Sequence, residues 1–211
     1  LFAMAIGPKL KWIKSDIQHK INLSIFFIIS FFLSILIIKN LKVNFLVNTI
    51  LVTSALYLFL VTSREFLIKG INNLAQNLAH FGFSLLILSI LFNNFFSTEV
   101  ITNLKIGETF KSEKIHITFE SIEKKEIKNY SSIIGKININ DPKGLNQTLE
   151  PELRIYNQPN IVTSEADIKT NLFSDKFITM NLVQNQDYFN IRYQIKPFMI
   201  WIWLSVLLIC S

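Results

Sequence analysis

Three long stretches without a charged residue occupy the first half of the 211-residue sequence. They cover residues 21–38, 43–62 and about 74–96, and each has the roughly 18 to 20 residues that an α-helix needs to cross the hydrocarbon core of a bilayer. Charged residues make up only 17% of the chain, against about a quarter in a typical soluble domain. The sequence therefore predicts three membrane spans and excludes a disordered chain or an ordinary soluble enzyme.

A fourth apolar run begins at Pro197 and continues to the last residue of the sequence. Trp201 and Trp203 lie near its start, where a membrane helix usually carries interfacial aromatic residues. The run is shorter than a full span, so residues 197–211 are interpreted as the start of a truncated fourth helix. Because the sequence has no initiator Met and ends inside this run, we interpret it as a fragment of a longer protein.

The distribution of basic residues indicates how the spans are oriented. Residues 1–96 carry eight Lys or Arg and two acidic residues, whereas residues 97–211 carry thirteen of each kind. Six of the eight basic residues precede the first span or lie in the 63–76 loop, and the other two lie in the 39–42 turn. Basic loops remain on the inner side of a membrane, so three crossings place residues 97–196 on the outer side. The basic excess therefore requires no nucleic-acid partner.

Residues 97–196 differ in character from the rest of the chain. Four of their segments alternate with a period of two and are rich in β-branched and aromatic residues, which is typical of strands: 115–119, 133–139, 177–182 and 189–193. The Asp-Pro-Lys-Gly sequence at 141–144 predicts a turn. The sequence thus predicts an integral membrane α-helical region over 1–96 with a mostly antiparallel β domain inserted over 97–196, in the periplasm or the intermembrane space.

His80 is the only histidine or charged residue within the three predicted spans. An imidazole inside a membrane helix is costly and usually faces a bundle interior or a cavity, and neutral imidazole is a good haem or metal ligand. The small residues Ala79, Gly82 and Ser84 would let a flat macrocycle or another helix approach closely. The residues alone leave two alternatives open, a functional histidine and a histidine that hydrogen-bonds a neighbouring helix.

The other reactive side chains give weaker signals. His116 is expected to be a solvated strand residue, and His19 is expected to be interfacial beside Lys20. The single Cys210 excludes an intrachain disulfide and a cysteine zinc site. The sequence contains no Ser/His/Asp arrangement, phosphate-binding loop or carboxylate cluster with ligand spacing, so no catalytic residue is assigned.

Two arginines in the predicted β domain lie close to tyrosines. Arg154 belongs to the segment 151–156, and Arg192 belongs to the segment 192–197. Arginine and tyrosine together can bind a carboxylate, such as a haem propionate or an acidic patch of a partner protein. The alternative, which the spacing alone favours, is a structural Arg–Glu pair on a strand.

Short motifs follow the predicted spans and the β domain in a characteristic order. They are Gly7-Pro8 with Trp12, a loop with Arg64, Leu78-Ala79-His80-Phe81-Gly82, Pro151-Glu152 with Arg154 and Tyr156, residues 163–168, and Lys196-Pro197-Phe198 before Trp201-Ile202-Trp203. In this order they resemble the C-terminal part of the CcmF family, the haem lyase subunit of cytochrome c maturation system I. The resemblance covers essentially the whole chain.

The resemblance implies a multi-pass inner-membrane protein, bacterial or mitochondrial, that helps attach haem to the Cys-x-x-Cys-His motifs of apocytochrome c. It also implies a haem b held between two intramembrane histidines, and it places one axial ligand of the haem iron at His80. The second ligand and a tryptophan-rich haem-binding segment lie outside this sequence, so the fragment is not expected to be active alone. The implied partners are other cytochrome c maturation subunits, a haem-delivery chaperone and apocytochrome c.

Two further classes of function are compatible with the residues themselves. The chain could be a segment of a transporter or channel in which His80 belongs to a proton or substrate path. It could also be a membrane-anchored β adaptor that docks partner proteins. Haem absorbance of the complete protein separates the haem-binding hypothesis from both of these.

Overall fold

The computed structural model describes residues 1–6, 17–41, 43–69, 74–112, 115–140, 146–183 and 187–210. The Gly7-Pro8 and Trp12 motif, and the predicted 141–144 turn with Lys143, lie outside the described residues. The chain divides into two units, one formed by residues 1–96 and 198–211 and the other by residues 97–197. The first unit is helical and the second is built of antiparallel strands, which confirms the predicted fold class.

The described part of the helical unit contains five helices: α1 (Phe2–Ile6), α2 (Ile17–Ile38), α3 (Phe45–Lys69), α4 (Leu74–Phe96) and α5 (Met199–Cys210). Three segments of these helices are long and apolar enough to cross a membrane, Ile21–Ile38, Phe45–Ile68 and Leu74–Phe96. Helix α5 is apolar but has only 12 residues. The three candidate spans therefore agree with the prediction.

The main difference from the prediction in this unit is the length of α3. The sequence predicts that the second span ends at Thr62, yet the helix continues through Arg64 and Glu65 to Lys69. Arg, Glu, Leu and Lys are good helix formers, so a change from apolar to charged residues does not by itself end a helix.

Small hydroxyl side chains lie where neighbouring helices contact each other. The Ser34 hydroxyl of α2 and the Thr53 hydroxyl of α3 lie 2.6 Å apart in a buried hydrogen bond. Between α3 and α4, the Thr62 and Ser84 hydroxyls lie 3.4 Å apart. Helix association in a bilayer depends on close packing and interhelical hydrogen bonds, because lipid is as apolar as the side chains. These contacts therefore hold the three candidate spans side by side.

The second unit contains ten strands in its described part: β1 (Thr98–Leu104), β2 (Thr109–Lys111), β3 (His116–Ile127), β4 (Tyr130–Asn140), β5 (Asn146–Leu149), β6 (Glu152–Asn157), β7 (Asn160–Glu165), β8 (Asp167–Thr170), β9 (Ser174–Leu182) and β10 (Phe189–Pro197). One sheet has the order β1-β10-β9-β8, and the other has the order β2-β3-β4-β6-β7 with β5 also paired to β4. We call them the first and the second sheet. All the described strand pairs are antiparallel.

The core of this unit lies between the two sheets and takes side chains from both. Phe119 of the second sheet meets Phe189 of the first sheet edge to face, with ring centroids 5.3 Å apart. At Gly135 the sheets come so close that an added Cβ would lie 2.7 Å from the Met180 sulfur and 3.2 Å from Phe119 Cε2. A larger residue at this position would therefore have to displace the end of the Met180 side chain. Two sheets packed face to face around one core make this unit a β-sandwich.

Candidate functional site

His80 lies in the second turn of α4 and is half-buried. Asn77 is three residues before it and Ser84 four residues after it, so the three side chains share one side of the helix. Both neighbours are buried, with 6% of Asn77 and 0% of Ser84 exposed. Since Ser84 meets Thr62, this side of α4 is directed at α3. His80 therefore lies at the α3-facing side of α4 and is less enclosed than either polar neighbour.

The small residues around His80 are used for helix packing. A Cβ added at Gly82 would lie 3.0 Å from the Ser205 carbonyl oxygen and 3.0 Å from Ile209 Cγ1, both in α5. Residues two positions apart point to different sides of a helix, so Gly82 is directed away from His80 and receives α5. Ser84 is likewise covered by α3. At Gly82 and Ser84, the small residues therefore allow neighbouring helices to pack closely. They do not leave space for a macrocycle at these two positions.

The described residues offer few ligands for a bare metal ion. They contain no group of three or more His, Cys, Asp or Glu side chains that could hold a metal ion. A macrocycle brings four nitrogens of its own to the iron and needs only one or two axial ligands from protein. His80 can supply one such nitrogen, and no hydrogen bond joins it to another described residue.

Arg154 of β6 is held by two carboxylates on its sheet. Its Nη2 lies 2.8 Å from Glu152 Oε2, and its Nη1 lies 3.8 Å from Glu165 Oε1. Its guanidinium carbon lies 5.2 Å from the centroid of the Tyr130 ring, within the range of a cation–π interaction. The arginine is thus already engaged in a structural ion pair, which is the alternative that its sequence spacing favours.

The ion pair shifts the ionisation of both groups. The hydrogen bond from Arg154 lowers the pKa of the Glu152 carboxyl, and the same bond raises the pKa of the Arg154 guanidinium. Because the folded-state pKa of Glu152 is depressed, the pair stabilises the sandwich above the unfolded-state pKa of the carboxyl, near 4.3. That contribution is lost as the pH falls through the lowered value.

Arg192 of β10 forms an ion pair with Glu99 of the neighbouring β1. The hydrogen bond from Arg192 is the main reason that the pKa of the Glu99 carboxyl is lowered. About half of the Arg192 side chain is exposed, 51% against 32% for Arg154. The two arginines lie on different sheets. Arg154 is paired with two glutamates and Arg192 with one.

The remaining predicted residues are exposed or outside the described part. His116 is exposed in β3, and Cys210 is exposed at the end of α5. The charged residues 123–126 are also exposed, on the part of β3 that extends beyond its pairing with β2. The side chain of His19 lies outside the described residues. Within the described chain, none of these positions belongs to a group of three or more possible metal ligands.

Sequence reasoning missed two cross-strand partners of the arginines, Glu165 and Glu99. Glu165 reaches Arg154 because β7 pairs with β6, with Glu152 opposite Glu165 and Thr163 opposite Arg154. Glu99 is 93 residues away from Arg192 in the chain. No local pattern marks either contact, since both depend on strand pairing.

Comparison with known proteins gives consistent matches. Residues 95–197 match the family described as CcmF C-terminal beta-sandwich. The cytochrome c-type biogenesis protein CcmF of Haemophilus influenzae is 25% identical over 218 residues, which cover 96% of this chain and 34% of that protein. The cytochrome c-type biogenesis protein ccl1 of Rhodobacter capsulatus is 31% identical over 110 residues, covering 52% of this chain and 17% of that protein.

A solved structure of the cytochrome c heme lyase CcmF has the same fold. It superposes with a TM-score of 0.69 at 15% sequence identity, and the match covers 98% of this chain and 36% of that chain. The chain thus spans about a third of the length of this structure and of the Haemophilus relative. The family match covers the sandwich, and the sequence relatives extend over the helices. Residues 95–197 therefore match the CcmF C-terminal beta-sandwich, and the chain is similar over most of its length to cytochrome c-type biogenesis proteins named CcmF.

Proposed function

We propose that this chain is part of a membrane haem lyase for cytochrome c maturation and that His80 is an axial ligand of a haem b. The observation that carries the proposal is the half-buried imidazole of His80 in an otherwise uncharged membrane-spanning helix. Polar and ionisable groups at such positions are expensive and usually functional. The similarity to cytochrome c-type biogenesis proteins supports haem as the ligand, and the solved structure with the same fold is described as a cytochrome c heme lyase.

The role of the helices is to hold the imidazole in place. Gly82 is packed against α5 and Ser84 against α3, so the turn that follows His80 is fixed on two sides. A ligand on a rigid, packed element keeps its position better than a ligand on a loop. A bound haem b would supply one-electron redox chemistry. Its electrons would keep the iron of a second haem ferrous, the one that is being attached to the thiols of apocytochrome c. His80 itself would contribute one nitrogen ligand to the haem iron.

The sandwich is proposed to lie on the outer side of the inner membrane, where apocytochrome c and the haem-delivery chaperone would meet the other maturation subunits. Arg154 and Arg192 are its proposed contacts for a haem propionate or an acidic patch of a partner. Arg192 is the better placed of the two, because about half of its side chain is exposed. A partner carboxylate would share these guanidinium groups with the glutamates that already hold them.

Haem absorbance of the complete, membrane-purified protein tests the proposal. A low-spin spectrum with a b-type pyridine haemochrome is the expected result, because two nitrogen ligands give low-spin iron. A complete protein that is folded and carries no haem would contradict the proposal. That result would favour a transporter segment or a docking adaptor.

The outer location of the sandwich gives a labelling prediction. In a Cys210→Ser background, Lys124→Cys should react with a membrane-impermeant thiol reagent in intact spheroplasts, because Lys124 is exposed in β3 and three crossings precede it. Lys69→Cys, at the end of α3, is the matched control and should react only after lysis. The reverse pattern at the two positions would invert the proposed topology.

A further inference from the structure

The turn between β8 and β9 exposes two large apolar side chains. Leu172 is 55% exposed and Phe173 is 64% exposed, the largest fraction for any large hydrophobic residue in the described part of the sandwich. Apolar side chains of this size are normally buried, since removing each from water stabilises a protein. Two adjacent exposed apolar side chains at a turn form a small apolar surface, which would be stabilised by contact with an apolar environment.

This turn has a defined conformation. The Asn171 side-chain oxygen accepts hydrogen bonds from the backbone N–H groups of Phe173, at 2.9 Å, and of Ser174, at 2.8 Å. The Asn171 N–H also donates to the Ser174 carbonyl at 3.1 Å. The exposure of the two apolar side chains is therefore built into a closed, hydrogen-bonded turn.

Strand register places the turn at one particular end of the first sheet. Ser174, the first residue of β9, is paired with Pro197, the last residue of β10. At the same end, Thr98 of β1 is paired with Ile195. The chain enters the sandwich from α4 just before Thr98 and leaves it for α5 just after Pro197. The apolar turn is thus beside the two points where the chain passes to the membrane helices.

The length of chain between the turn and the membrane is short. Trp201, which marks the expected interfacial level of α5, is four residues after Pro197, and four residues span at most about 14 Å. The polar headgroup region itself is roughly 5 to 7 Å thick on each side of the bilayer. A turn paired with Pro197 is therefore within reach of the boundary between headgroups and acyl chains.

We propose that Leu172 and Phe173 insert into the outer interface of the bilayer and anchor the sandwich to the lipid surface. The occupant of this apolar surface is phospholipid, because this end of the sheet is joined directly to α4 and α5, the helices that enter the membrane. A phenyl ring and an aliphatic side chain are suited to the upper acyl region, as in other interfacial segments. This inference does not depend on haem or on His80.

Spin labels on the full 211-residue chain, reconstituted in bilayers of phosphatidylcholine and phosphatidylglycerol, test the anchor. In a Cys210→Ser background, one label is placed by Phe173→Cys and a control label by Leu182→Cys. Leu182 is 47% exposed and is the last residue of β9, the strand that begins next to Phe173 at Ser174. The two ends of β9 are about 26 Å apart at the rise of a β-strand. Both substitutions replace exposed apolar residues, so both variants should fold.

The proposal predicts that the label at 173 is several-fold more accessible to oxygen, which concentrates in lipid, than to a water-soluble nickel complex, and that the label at 182 shows the opposite ratio. Equal nickel accessibility at both positions would place the turn in water and overturn the anchor. Protection of the label at 173 from both reagents would also overturn it, since that result means that protein covers the turn.

Discussion

His80→Ala should remove most of the haem from the complete protein and reduce cytochrome c maturation accordingly. At the proposed haem site, the substitution takes away one nitrogen ligand of the iron and leaves a gap beside α3. Changes that only reposition a metal ligand already lower affinity by roughly 10 to 100-fold, so loss of the ligand itself should lower haem retention by at least about tenfold. The measurement is the ratio of haem absorbance to protein after purification. Added imidazole should restore part of the haem, because it offers the same nitrogen.

Two alanine variants separate ligand loss from damage to the helix or the sandwich. Ser84→Ala removes a fully buried hydroxyl one turn further along the same side of α4, and it should keep the haem. His116→Ala removes an exposed imidazole of the sandwich and should leave the haem spectrum unchanged. If His80→Ala keeps a full complement of haem with an unaltered low-spin spectrum, His80 is a helix-packing residue and the ligand lies elsewhere.

Ile117→Ala should destabilise the sandwich by about 2 to 5 kcal/mol, the usual cost of cutting a fully buried isoleucine to alanine. Ile117 is 0% exposed in the core between the sheets, and neighbouring strands can collapse only partly into the space it leaves. Hydrogen exchange of the amides in β9 and β10 measures the loss, because these strands open only when the core opens.

Ile127→Ala is the matched control for this experiment. Ile127 belongs to the same strand, β3, and is 47% exposed, so its replacement should change the free energy of unfolding by no more than about 0.5 kcal/mol. Equal effects of the two substitutions would contradict the placement of Ile117 in the core. The comparison holds residue type, strand and substitution constant and varies only burial.

Local patterns were sufficient to predict most of the secondary structure. A membrane helix is recognised by the length of its uncharged apolar run, as in residues 74–96, and a strand by alternation with a period of two, as in residues 133–139. The extension of α3 through Arg64 to Lys69 was missed, because helix propensity continued after the apolar run had ended. The candidate ligand His80 could likewise be found locally, since a histidine in an uncharged span stands out.

Strand order and register were decided only when the whole sandwich was formed. Pairing of β6 with β7 brings Glu165 to Arg154, and pairing of β1 with β10 brings Glu99 to Arg192. Register also sets the turn with Phe173 beside Pro197. Periodicity states which side of a strand is apolar but does not state which strand lies next to it, and a slip of one residue would turn every side chain to the other face. The free energy of the shared core selects one pairing, and that energy belongs to residues that are far apart in the chain.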